Sequence, residues 1–290
     1  MPDLTQEPRP ASSALRPAAG PESSAVGDLR LHELHSRIYG NTRMLRVWLP
    51  PGYEERENVQ RYPVLYLNDG QNLFDRATAF AGIEWQVDET ADRLIREKAV
   101  APLIIVGIDN AQKDRMREYL PYPSFNPPAF RPQGKRYLDF LLREVMPFIE
   151  QRYRTAGRRE HTGLGGSSLG ALISLYTVMA APDIFGRLLL ESPSLFVCSR
   201  KVLRDARRFR DWPARIFLAV GTRETGQEAK DRKAVDDVRD LAQIFSRSGL
   251  SEERLRLRID QDATHSEAAW AARFPEALTF LFGTPKKLVE

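Results

Sequence analysis

Residues 160–180, Glu160 to Ala180, read E-H-T-G-L-G-G-S-S-L-G-A-L-I-S-L-Y-T-V-M-A, and their reading decides what fold to expect of the chain. Gly166-Ser167-Ser168-Leu169-Gly170 spells G-x-S-x-G, with a short strand-like lead-in before it and a long apolar helical pattern behind it. A serine in that setting is expected on a tight strand-to-helix turn, in a sparsely populated backbone conformation. Bulk is excluded on either side, and glycine at both flanks meets that demand. The following helix aims its first N–H groups back at Ser168 and favours negative charge developing there. A bare pentapeptide equally describes a glycine-rich turn with an idle serine, so the surrounding chain has to decide.

Upstream, residues 137–153 are amphipathic through Leu138, Leu141, Leu142, Val145, Phe148 and Ile149, which predicts a helix leading into the Ser168 strand. Before it, residues 109–134 are rich in Pro, Tyr, Phe and Arg and show no period; a loop of that length is a lid or a binding loop. Pro102 to Ile108 and Tyr62 to Leu67 are apolar runs suited to buried strands, separated by a helical pattern over residues 85–98. The first strands, Leu29 to Ile38 and Met44 to Leu49, are joined through Tyr39-Gly40-Asn41-Thr42 as a hairpin. Downstream, strands are expected at 187–190, 214–220 and 255–259, and helices at 230–248 and 267–282. Strands alternating with helices call for right-handed crossovers and a mainly parallel sheet covered on both faces, with the hairpin as an antiparallel edge.

The 290 residues suit one large α/β domain over 28–290, preceded by a disordered tail over 1–27 rich in Pro, Ala, Ser and Glu. That tail has no apolar run of signal-peptide length, and no stretch approaches the roughly 20 apolar residues of a membrane span, so a soluble, cytoplasmic protein is expected. One cysteine, Cys198, excludes an internal disulfide framework and reads as a small buried residue. The balance of 43 Lys and Arg against 39 Asp and Glu is only mildly basic. Its clearest excess, Arg200 to Arg215, alternates with Val202, Ala206 and Phe209 at helical spacing and reads as the solvated face of a helix. No zinc spacing or nucleic-acid-reading motif is present; neither a metal, a cofactor, nucleic acid nor a membrane is expected as a partner.

A serine hydroxyl becomes a nucleophile when a base takes its proton. Of the four histidines, His32 and His35 lie on the first hairpin strand and His161 stands at the wrong end of the Ser168 strand. His265 follows the last strand on the loop Asp260-Gln261-Asp262-Ala263-Thr264, where a base can meet the serine. An orienting carboxylate is expected after the strand 214–220, in the chain order serine, acid, histidine. Glu224 is the first candidate, with Glu228 and Asp231 behind it.

These residues resemble the esterase branch of the α/β-hydrolase superfamily that includes esterase D-type, feruloyl and enterochelin esterases and mycolyltransferases. The resemblance spans residues 30–283. It is carried by Leu67-Asn68-Asp69-Gly70-Gln71-Asn72-Leu73-Phe74-Asp75, Val106-Gly107-Ile108-Asp109-Asn110, Arg117-Glu118-Tyr119, the Gly165 to Gly170 turn, Ser192-Pro193-Ser194, Gly221-Thr222-Arg223-Glu224 and His265 to Trp270. It implies an α/β-hydrolase fold, Ser168 as nucleophile, His265 as base and a carboxylate near Glu224, although some siderophore esterases of the group work with a serine and histidine alone. An oxyanion hole needs two N–H donors, each worth about 3 kcal/mol in the transition state; the amides of Leu169 and Gln71 are the candidates, with Asn72 next.

Substrate contacts are expected from Asn72, Phe74, Trp85, Arg117, Tyr119 and Trp270, with Phe80, Tyr122, Phe125 and Phe130 nearby, suiting an aryl or acyl group in a partly apolar cleft. Asn72 is alternatively a brace of its loop, and Arg115 and Arg117 meet either an acidic substrate or Glu118 and Asp109. The expected activity is therefore serine esterase, acting on a small-molecule ester of aryl, feruloyl, acetyl-sugar or siderophore type. An acyltransferase using the same acyl-enzyme and a non-catalytic binding protein are the alternatives. The sequence leaves the oligomeric state open, a homo-oligomer included.

Overall fold

The computed structural model describes residues 23–123 and 131–284. Its strands are β1 (Asp28–Ser36), β2 (Asn41–Leu49), β3 (Val64–Asn68), β4 (Ile104–Ile108), β5 (Thr162–Ser167), β6 (Arg187–Glu191), β7 (Arg215–Gly221) and β8 (Leu255–Asp260). They form one sheet in the order β1-β2-β4-β3-β5-β6-β7-β8. Six strands from β4 to β8 run parallel, and the β1–β2 hairpin joins antiparallel through β2 and β4. The expected mainly parallel sheet with an N-terminal antiparallel hairpin is the one observed.

The central strands are buried on both faces, so their side chains divide by parity into two cores. Tyr66, Val106, Leu190 and Leu218 enter one and Leu65, Ile105, Leu189 and Phe217 the other. Helices α1 (Val87–Arg96) and α8 (Glu267–Phe282) cover the second face. The first face is covered by α3 (Gly134–Phe140), α4 (Met146–Arg152), α5 (Leu169–Ala180), α6 (Val197–Ala206) and α7 (Glu228–Arg247). The single helix expected over 137–153 is α3 and α4 joined without a break by a π-helical turn, Leu141–Val145.

Three differences from expectation have physical causes. β2 begins at Asn41 rather than Met44, because Arg43 and Arg46, which look like surface residues, are buried and paired with Glu118 and Asp109. The long loop after β4 contains a short helix, α2 (Arg115–Tyr119), held down by buried Tyr119 and Tyr122; Phe125 and Phe130 lie outside the described residues. Residues 23–27, assigned to the tail by composition, are tied to the domain: Ser23 and Ser24 bond Asp75 and Glu84, and Val26 accepts the Trp48 indole N–H at 2.9 Å. The arginine-rich α6 is amphipathic as expected, with Arg200 paired to Asp237 and Asp240. Cys198 at its start is half-buried rather than buried. Among the described residues no helix is long and apolar enough to cross a membrane.

The chain steps from β3 outward to β4 and then returns to place β5 on the other side of β3. Such a reversal leaves a crevice at the carboxyl ends of the strands, and the loops after β3 and β5 open onto it.

Candidate active site

Ser168 sits between β5 and α5 with φ 55° and ψ −121°, a conformation that L-residues avoid. The turn is held from three sides: the Ser168 N–H donates to the Glu191 carbonyl at 2.9 Å, and the Ser168 carbonyl accepts from Leu172 and Ser194. A Cβ on Gly166 would come 3.1 Å from the Gly170 carbonyl carbon and the Asn68 Cβ, and one on Gly170 would come 3.0 Å from an Asp69 oxygen. A side chain at either flank would thus be a tight fit, which favours glycine. The Ser168 hydroxyl lies 3.2 Å from that of Ser194.

The histidine and the acid meet at the ends of the last two strands, β7 and β8. His265, on the loop after β8, has Nδ1 2.5 Å from Glu224 Oε2, on the loop after β7. The other Glu224 oxygen accepts from the Gly221 N–H at 2.6 Å and the Ser192 hydroxyl at 2.8 Å. Burial alone would raise the Glu224 carboxyl; the hydrogen bonds from His265, Gly221 and Ser192 outweigh it, and its pKa lies below the ordinary value. The two reserve acids are elsewhere. Glu228 is exposed at the start of α7 and pairs with Arg232, while Asp231 closes the Thr225 turn through its amide and hydroxyl. Of the other histidines, His32 is bonded to the Tyr153 hydroxyl at 2.5 Å, and His161 precedes β5 at the amino end of the sheet.

Below Glu224 lies a buried network that the sequence did not reveal. Ser192, at φ 43°, also accepts from Trp270 Nε1 at 3.1 Å and Arg273 Nη2 at 3.4 Å. Arg273, itself 2% exposed, donates through Nε to Glu191 at 2.8 Å and reaches Asp260 through Nη1 at 3.5 Å. Burial pushes the Glu191 carboxyl up to about 7 even with Arg273 beside it, and the charges of Asp260 and Glu224 add to the rise. Of its members the sequence marked Ser192, within the Ser192-Pro193-Ser194 stretch after the strand. Arg273, however, reads as an ordinary surface arginine inside a helix.

On the β3 side, Asp69 is left-handed at φ 61° and Gly70 is pressed against β4: a Cβ there would lie 2.6 Å from the Gly107 carbonyl carbon. Among the described hydrogen bonds, neither the Leu169 nor the Gln71 amide donates to a protein acceptor, whereas the Asn72 amide is used by the Asp69 carbonyl. Two amides after β3 and β5 thus remain available to a developing oxyanion.

Most of the expected substrate contacts are structural. Phe74 is fully buried and Trp85 is 2% exposed, packed with its ring 5.6 Å from Trp270. Trp270 is buried too, edge-on to the His265 ring at 5.1 Å, so it supports the histidine rather than lining an open wall. Tyr119 is buried and its hydroxyl accepts from the Asp69 N–H. Both polar ends of Asn72 are engaged, one with Glu267 and one with the Phe80 N–H, as a brace. Arg117 bonds the Arg131 carbonyl, whereas Arg115 makes a two-pronged pair with Asp69 at 2.6 and 2.8 Å. Glu118 and Asp109 belong to Arg43 and Arg46, so neither arginine of the loop takes them. Among the described residues, exposed apolar side chains on the loops that follow β3, β4 and β6 include Phe80, Ile83, Met116 and Phe196.

A mainly parallel sheet with a strained serine after β5 and a histidine bonded to a glutamate after β7 and β8 is an α/β-hydrolase fold, and the family to which it belongs makes the chain a carboxylic ester hydrolase. The chain belongs to the Putative esterase family, whose model matches residues 36–281. It is 25% identical over 250 residues to the uncharacterized protein YbbA of Bacillus subtilis (strain 168), covering 84% of this chain and 94% of that one. It is 24% identical over 212 residues to the ferri-bacillibactin esterase BesA of the same organism, covering 66% and 70%. An IroE-like serine hydrolase from Shewanella oneidensis superposes with a TM-score of 0.68 at 22% identity, over 88% of this chain and 80% of that chain, and so shares the fold.

Proposed function

We propose that this protein is a serine esterase that hydrolyses a small-molecule carboxylic ester through an acyl-enzyme on Ser168. The observation that carries the reading is the pairing of His265 Nδ1 with buried Glu224 at 2.5 Å, on the loops after β7 and β8 at the same end of the sheet as the strained Ser168. With Nδ1 held by the carboxylate, Nε2 is the nitrogen that takes the Ser168 proton as Oγ attacks the ester carbonyl. The Leu169 and Gln71 amides receive the oxyanion. Collapse breaks the bond to the alcohol, which leaves with the proton from His265. Water then repeats the sequence, giving its proton to His265 and its oxygen to the acyl carbon, and the carboxylic acid departs as Ser168 regains its hydrogen. Glu224 stays ionised and stabilises the imidazolium in both halves.

The relative named as a ferri-bacillibactin esterase supports an ester of siderophore type as substrate. Exposed Phe80, Met116 and Phe196 favour a substrate with an aromatic or apolar portion. Incubation with phenylmethylsulfonyl fluoride should add one sulfonyl group, mapped by peptide mass spectrometry to Ser168. Ser168→Ala should lose at least about 10³-fold in p-nitrophenyl ester hydrolysis with an unchanged melting temperature. Activity near the wild type in that variant, or labelling elsewhere, overturns the reading.

A further inference from the structure

Glu84, Asp88 and Glu89 converge on the face of the molecule covered by α1, outside the catalytic constellation. Each offers one carboxylate oxygen, and these oxygens lie within 4.8 Å of one another. Two ligands on one calcium ion at about 2.4 Å can be at most about 4.8 Å apart, so the spacing suits a shared cation. The second observation is what the remaining lone pairs do. Glu84 Oε2, Asp88 Oδ1 and Glu89 Oε2 are all buried and have no hydrogen-bond partner, and Asp88 as a residue is 0% exposed and Glu84 8%.

The opposite oxygens are already used: Ser24 Oγ donates to Glu84 Oε1 at 2.5 Å, and the Val26 N–H donates to Asp88 Oδ2 at 2.5 Å. Each of these two carboxyls is thus anchored by one oxygen and presents the other. Among the described residues, the ion pairs leave all three out, although Arg76 lines the adjoining cleft. Asp88 and Glu89 do stand in the first turn of α1, whose N-terminus favours negative charge. That accounts for one carboxylate there, not for three converging carboxylates that each keep a buried oxygen without a partner. A cleft of about 310 Å³, bordered by Ser24, Arg76, Glu84 and Glu89, gives an ion and its waters a route in.

We propose that Glu84, Asp88 and Glu89 bind a divalent cation, Ca²⁺, that locks the segment 23–26 onto the start of α1. All-oxygen carboxylate donors with no histidine or thiol suit a hard cation. The incomplete protein shell leaves positions for water, as the flexible coordination of Ca²⁺ permits. The ion would also stiffen the active-site wall, because Trp85, between Glu84 and α1, packs on Trp270 and Trp270 on His265. The expectation of no metal was reasonable from sequence, since Glu84, Asp88 and Glu89 match no loop motif. Only the fold brings the three carboxylates together.

The test uses the full chain, stripped with EDTA and exchanged into metal-free buffer. Calorimetric titration with CaCl₂, and with MgCl₂ and MnCl₂ in parallel, should show a saturable heat for Ca²⁺ at about one ion per chain. Melting should shift up by about 5 °C at saturation, and NaCl of equal ionic strength should not reproduce the shift. Glu84→Gln combined with Glu89→Gln should abolish both responses while sparing ester hydrolysis at low temperature. No heat and no shift with any of the three cations overturns the site, and so does an undiminished response in the double variant. A response to Mg²⁺ or Mn²⁺ without Ca²⁺ overturns the ion. Stabilisation by acidification alone, with no cation effect, identifies a proton shared between the carboxyls and also overturns the proposal. Because the readout is binding to the wild type, failure here leaves the Ser168 reading untouched.

Discussion

The loops that follow β5 to β8 and those that follow β3 and β4 stand at the same end of one sheet, yet they behave oppositely toward expectation. After β5, β7 and β8, the residues singled out for chemistry stand on loops at one end of the sheet, Ser168 in a strained turn and Glu224 bonded to His265. After β3 and β4, residues singled out for substrate contact, Phe74, Asn72 and Tyr119, turn inward and hold the loops down. A catalytic side chain is short and polar, and a strand end fixes its position almost completely. An aromatic side chain on a long loop has a larger gain available from burying itself, roughly 1.5–3 kcal/mol of transfer free energy, than from waiting at a cleft.

The strongest way to break this contrast is Glu224→Gln. If Glu224 orients and charges the base, kcat should fall by about 10²- to 10⁴-fold with the fold intact. Retention of most of the activity in a steady-state ester assay would reduce the machinery to Ser168 and His265. Phe74→Ala tests the opposite side. As a core residue it should cost about 3–5 kcal/mol in denaturant unfolding, with KM unchanged for whatever enzyme remains folded. A raised KM at full stability would restore it to the substrate.

Glu191 sharpens the contrast through charge, because it is a buried carboxyl at the end of β6 with Arg273 beside it. Its folded pKa, about 7, lies above the ordinary 4.5. A raised carboxyl is favoured neutral in the folded state, so the associated stability is fully present below pH 4.5 and is lost as pH rises to about 7. The loss amounts to roughly 3 kcal/mol. Melting temperature followed against pH should show that decline in the wild type and a flatter profile in Glu191→Gln, whatever the absolute stability of the variant. The smallest effect is expected at Phe80, which is exposed: Phe80→Ala should raise KM for an aryl ester about two- to fivefold with no change in melting temperature. Equal kinetics would remove this loop from the substrate's surroundings.

Motif and order were readable without coordinates. Gly166 and Gly170 announced the turn at Ser168, where a Cβ would come within 3.1 Å of backbone and 3.0 Å of an Asp69 oxygen. Alternating apolar runs gave the parallel sheet, and elimination among four histidines left His265. The buried arginines carried no signal in the sequence. Arg43, Arg46 and Arg273 carry the composition of a surface, and burial became possible only through Glu118, Asp109 and Glu191, each distant in sequence.

What the sequence determined by itself was therefore local and periodic: which segments are strands and helices, which turn carries the serine, and in what order acid and base follow. Short-range sterics and hydrophobic period encode these directly. Tertiary structure alone decided that Glu224, rather than Glu228 or Asp231, meets His265, that Arg273 and Ser192 stand behind it, and that three carboxylates share one point beside α1. Those outcomes depend on where side chains from separate segments converge, and a carboxylate's partner is set by distance in space, which no spacing along the chain records.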